Sequence, residues 1–133
     1  MNSKIKYLSS IFAPVSLGEL IDKITILEIK KIHMSGIKLK NVDKELKLLK
    51  NILQDNNLEI DINLINDLKE VNKNLWEIED NIRIKESNQI FDREFIQLAR
   101  SVYKENDKRA SIKKEINQKY NSELVEEKSY NNY

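Results

Sequence analysis

Two apolar seams separated by a short polar break constrain this chain more than any other feature. In the first, Leu64, Leu68, Val71, Leu75, Ile78 and Ile82 recur at alternating steps of four and three, the spacing that keeps one stripe of a helix facing a partner. In the second, Phe91, Phe95, Leu98, Val102, Ile112 and Ile116 continue the pattern. Ser87-Asn88 lies between them and allows a tight turn. Two long helices, about 62–86 and 89–120, are therefore expected to fold back on each other in antiparallel fashion.

Upstream, Ser16-Leu17-Gly18-Glu19 reads as a capping box, with Ser16 accepting from the backbone at Glu19 and the Glu19 side chain reaching back. Val15 and Leu20 are spaced for the accompanying apolar staple. The helix it starts, about 16–34, is apolar on nearly every side and so is expected to be an inner one. Ser35-Gly36 closes it, and His33 sits in its last turn as a partner for the helix dipole. A second, plainly amphipathic helix spans about 39–54, with Val42, Leu46, Leu49 and Leu53 on one face. Leu58, Ile60 and Ile62 alternate too briefly to make a sheet. Residues 1–15, ending at Pro14, form an extended arm expected to lie on the bundle, and Leu124, Val125 and the tail tyrosines are placed to dock as well. Only two Gly and one Pro interrupt the chain, while 34% of it is charged and 40% hydrophobic, a balance suited to helices with one wet face. The expected fold is all-α, an antiparallel four-helix bundle with an extended N-terminal arm and a short C-terminal tail, in a single helical domain over 1–133.

Composition narrows the functions. No Cys excludes disulfides and thiol chemistry, and one His excludes a histidine-based metal cluster. A formal net charge of +1 argues against nucleic-acid binding through bulk electrostatics. No apolar run approaches the roughly 18 residues that span a bilayer, so a cytoplasmic protein without a membrane span is expected.

The charged residues then point to a site. All four Arg (Arg83, Arg93, Arg100, Arg109) and the single Trp fall within residues 74–113, in a chain that otherwise uses Lys for positive charge. An Arg kept against that background implies its planar fork, used for carboxylates and phosphates. The same fork also serves internal salt bridges. Folding the long helices about Ser87-Asn88 brings Glu94 near Arg83, Arg100 near Glu77 and Glu105 near Asn72. Continuing the seam through its gap lands on Glu105 and Arg109, two charges at positions the pattern assigns to the core. Arg109 has no partner on the third helix other than Asp67. On the inner helix, Asp22, Thr25 and Glu28 follow at three-residue steps. A buried carboxylate there needs a cation, which a later Arg can supply; otherwise the stripe is the helix's one solvated edge.

Three stretches, SLGELIDKITILEIKKI at 16–32, LWEIEDNIR at 75–83, and FDREFIQLARSVYKENDKRASIK at 91–113 with SELVEEKSY at 122–130, together resemble an uncharacterised family of short all-helical bacterial and phage proteins, a domain of unknown function. The resemblance implies no catalytic residues. One departure is Leu17, where a Pro would suit the position after the Ser cap.

The residues favour a non-catalytic helical binding or assembly module. Its polar cluster on the two long helices, Trp76, Arg100, Glu105, Asn106 and Arg109, would hold an anionic small molecule or a partner helix, with no cofactor expected. Catalysis stays open in one alternative, a Mg-dependent all-α nucleotide pyrophosphohydrolase-like enzyme. There Asp22, Glu77, Glu79 and Asp80 are the candidate metal ligands, although the paired acidic motifs of such enzymes are not cleanly present. The other alternative is a structural homo-oligomer in which the charged seam positions fix register.

Overall fold

The structure is a computed structural model and describes residues 8–132. Four α-helices follow in order: α1 Leu17–His33, α2 Gly36–Asp55, α3 Ile62–Ser87 and α4 Arg93–Lys119. No strand occurs among the described residues. The arrangement is all-helical, and the helix packing is that of a bundle.

The boundaries differ from expectation at two places. The second helix starts at Gly36 rather than near residue 39, and Gly36 takes a φ of +63°, so Ser35-Gly36 opens α2 instead of closing α1. Only glycine adopts that conformation without steric cost. The fourth helix starts at Arg93 rather than 89. Gln89 has a φ of +57°, and the Asp92 side chain accepts from the Phe95 amide at 2.9 Å, which fixes Asp92 as the cap. That bond, with Lys85, holds the Asp92 carboxyl below its usual range.

α1 is the inner helix, as its all-round apolar surface requires. Two clusters meet on it. Leu20, Ile24 and Leu27 pack with Val42 and Leu46 of α2. On the other side, Ile21 packs with Leu64 and Leu68 of α3 and Ile116 of α4. The backbone of α2 approaches α1 alone, whereas α1, α3 and α4 all approach one another. At the far side from α1, Lys85 bridges Asp92 and Glu94, each at 3.0 Å. At the other end of the α3–α4 pair, Lys119 meets Asp61 at 2.7 Å and the Tyr120 hydroxyl accepts from the Asp61 amide at 2.6 Å.

α3 and α4 outrun α1. Their buried residues are Leu64, Leu68, Val71 and Asn72 in one and Lys113, Ile116 and Asn117 in the other. Leu75, Ile78, Ile82, Phe95, Leu98 and Val102 are only half-buried, and Phe91 is exposed. The distal seam therefore has the expected apolar residues but not the expected burial, because two helices alone cannot enclose a stripe that a third would cover.

The arm and tail also depart from expectation. Leu8, Ile11 and Phe12 are exposed rather than laid on the bundle; the arm's first seven residues lie outside the described part. In the tail, Leu124, Val125 and Tyr130 stay exposed, and attachment is polar, through Ser122 and Glu126.

Candidate functional site

The polar residues of α1 run into the interior. Asp22 and Thr25 are fully buried, so the stripe they begin is not a solvated edge. Glu28, its third member, lies nearer the surface and bridges Lys69 of α3 at 2.8 Å and Lys50 of α2 at 3.5 Å. A fully desolvated carboxylate must be met by charge and donors, and α3 and α4 supply both. Arg109 donates from Nε to both Asp22 oxygens, at 3.0 and 3.1 Å, and from its second terminal nitrogen to Oδ2. Asn72 donates to Asp22 Oδ1 at 2.8 Å and to Thr25 Oγ1 at 2.9 Å. Thr25 in turn donates to the Asp22 carbonyl at 2.7 Å. The hydrogen bonds that Arg109 donates to Asp22 raise its pKa above the usual range, against the pull of burial.

One turn further along α4, Lys113 gathers three acids: Glu19 at 2.6 Å, Glu126 of the tail at 2.7 Å and Asp22 at 3.8 Å. Burial pulls its pKa down, but the bonds to Glu126 and Glu19 outweigh it and the pKa is raised. Only half of the capping box forms in the expected way. Ser16 Oγ accepts from the Glu19 amide at 3.2 Å, while the Glu19 carboxylate goes to Lys113. The start of α1 lies hard against α4 here. Asn117 Oδ1 accepts from the Gly18 amide at 2.7 Å, and a Cβ at Gly18 would stand 2.6 Å from the Lys113 carbonyl. The Leu17 amide donates to Ser122 Oγ at 3.1 Å. A proline at 17 would remove that donor, which accounts for Leu17.

The Lys113 bond holds the Glu126 carboxyl below its ordinary value of 4.5. A carboxylate with a lowered folded pKa contributes stability above its unfolded value, and that contribution is lost as pH falls through the folded one. Thermal melts are thus expected to stay flat from neutral pH to about 5 and to fall below about 4. Glu126→Gln should melt lower at neutral pH and show a shallower acid limb. An unchanged acid limb in that variant would mean the tail tether is not coupled to folding.

The sequence candidates are distributed over several grooves. Trp76 and Arg109 share one of about 420 Å³, with Ile26 and Leu75 as apolar lining and Glu79, Asp80 and Arg83 as charged lining. Trp76 forms its wall and stacks on His33 at 4.8 Å and 18°, so His33 is a ring partner as well as a last-turn residue. Glu105 lines a different groove and bonds to Lys108 at 3.0 Å and Asn74 at 3.4 Å, not to Asn72. Asn106 lines a third, with Tyr103 and the tail residues Lys128 and Tyr130. Arg100 is exposed and makes no ion pair among the described residues. Arg83 pairs with Glu79 at 3.4 Å, whereas Glu94 goes to Lys85. Of the metal candidates, Asp22 is taken by Arg109 and Asn72, Glu79 and Asp80 line the Trp76 groove, and Glu77 is exposed. Among the described residues no group of three or more acids or His is placed to hold a metal ion.

Sequence reasoning missed Asn72, Lys113 and Asn117, all buried polar residues. Each adjoins a seam position on the side that faces α1. That adjacency is the one signal they carry. No helix of the described residues is long and apolar enough to cross a membrane. No curated protein and no solved structure matches the chain. Over residues 12–133 the chain matches the model of DUF6165, a family of unknown function, and it belongs to that family.

Proposed function

We propose that this chain is a non-catalytic binding or assembly module that receives a partner helix in the groove between Trp76 and Arg109. The observation that carries this reading is the end of α1. α1 covers the α3–α4 pair only as far as His33 on Trp76, and beyond that contact both long helices continue with no buried residue until their turn. The groove is a continuation of the surface on which α1 already packs. A helix laid there would cover Leu75 and the half-exposed Trp76, and Trp and Arg are the residue types that most often dominate binding energy.

The chemistry of the groove favours a helix over a small anion. Arg109 spends its fork on Asp22, and Glu79 and Asp80 place negative charge beside Arg83. Apolar lining edged by both signs suits an amphipathic segment, read through anchors at helical spacing.

The test is site-specific photo-crosslinking in a lysate of the source cells. A photoreactive phenylalanine at position 79 is expected to give one discrete protein adduct, and the same group at exposed Lys40 on α2 none. Trp76→Ala should abolish the adduct while the circular dichroism stays helical. Absence of an adduct at position 79, or equal adducts at both positions, would remove this reading.

A further inference from the structure

We propose that the N-terminal arm of one copy of this chain seats in an apolar groove of a second copy, so that two copies associate by exchanging arms. The groove is distinct from that of Trp76. It lies between α1, the end of α2 and the start of α3, has a volume of about 820 Å³, and is lined by Ile21, Ile24, Leu53, Leu58 and Ile65 with Tyr120. It exists because the backbone of α2 approaches α1 alone and leaves a gap toward α3 that Leu53 only partly fills.

The arm is the matching anomaly. Leu8, Ile11 and Phe12 are 87%, 83% and 90% exposed, three large apolar side chains within five residues that nothing covers. Such a patch on a chain otherwise patterned for water marks a contact site. The charges are complementary. The arm carries Lys4 and Lys6, and no acid precedes Glu19. In the groove Glu28 is already bridged by Lys50, which also lines it, and by Lys69, which leaves Glu59, without an ion pair among the described residues, as the acid open to an arm lysine.

The occupant is a second copy because the hinge resists doubling back. Ala13 precedes a proline and is biased to extended backbone, Pro14 has a fixed φ, and Ser16 is extended, with ψ at 153°. Phe12 is four residues from Ser16, a reach of at most about 14 Å. Filling its own groove would require the chain to reverse within those stiff residues. An arm that leaves the body extended reaches a neighbour's groove without that turn, the usual geometry of exchange between identical protomers.

The experiment is sedimentation of the full chain over a concentration series, with chymotryptic cleavage at Phe12 as a second readout. The wild type is expected to be a dimer with Phe12 protected. A triple change of Leu8, Ile11 and Phe12 to Ser should weaken dimerisation more than about a hundredfold, since each lost side chain removes roughly one to two powers of ten. Leu58→Glu, which places a charge in the groove, should do the same. Mixing the two variants should restore a dimer held by one intact arm and one intact groove, an outcome that misfolding of either would not give. A wild-type monomer overturns the proposal, whether its arm is protected on its own body, protected only by anionic lipid vesicles, or cleaved freely. The Trp76 groove plays no part in this exchange, so position-79 crosslinking stands or falls separately.

Discussion

Arg109→Ala is expected to destabilise the fold by about 3–5 kcal/mol, the cost of breaking a buried ion pair by removing one partner. Asp22 has a side chain only 1% exposed, so the truncation takes away the guanidinium that compensates a desolvated carboxylate. What remains at the carboxylate is one amide of Asn72 and the Lys113 ammonium at 3.8 Å, which is too distant for a hydrogen bond. Arg109→Lys should recover only part of the loss, because an ammonium cannot reproduce donation from Nε and a terminal nitrogen to the two oxygens at once. The double variant Asp22→Leu with Arg109→Leu removes both charges and should be closer to wild type than Arg109→Ala, while Asn72 and Thr25 keep their mutual bond. Urea unfolding of the four proteins reads these differences. A loss below about 1 kcal/mol in Arg109→Ala would place the pair in the range of solvent-exposed bridges and contradict the burial of Asp22.

The same residues show how far the sequence can be read. Periodicity identified four helices and the inner position of α1, because a helix apolar on all sides has to be surrounded. It also singled out Arg109, since a charge at a seam position without a partner on the facing helix must look elsewhere, and Asp22 as a carboxylate in need of a cation. Their meeting depends on where α1 crosses the α3–α4 pair, which no spacing within one helix encodes. Asn72, Lys113 and Asn117 were hidden for that reason, being flank positions of their seams until α1 covers them. The distal seam shows the complementary limit. Four-three spacing tells which side chains face a neighbour, not how many neighbours share the stripe, and between two helices Leu75 to Ile82 stay half-exposed. The start of α4 was more legible. Asp92, followed by Arg-Glu-Phe, is an ordinary cap signal, but the apolar Phe91 ahead of it drew the helix four residues too early.

Unequal burial across the four helices leads to an expected separation of local from global opening. Ile21 is 1% exposed and meets Leu68 and Ile116, both at 0%, so three helices converge on it. Ile21→Ala should cost about 2–5 kcal/mol, the loss of transfer energy plus the cavity left in a site that cannot collapse. Leu46→Ala removes a side chain of the same size from the cluster that joins α2 to α1, yet its effect should be distributed differently. α2 touches no other helix backbone, and its detachment withdraws only the partly buried Leu53 from the cluster of Ile21, Leu64, Leu68 and Ile116. α2 can therefore open as a unit below the free energy of global unfolding. Native-state hydrogen exchange resolves the two cases. Ile21→Ala should lower protection in α1, α3 and α4 together, whereas Leu46→Ala should lower it in α2 and leave α3 and α4 near wild type. If both variants lowered protection uniformly across all four helices, α2 would have to be held by more than its single neighbour, and the gap between it and α3 could not be the open groove that the arm requires.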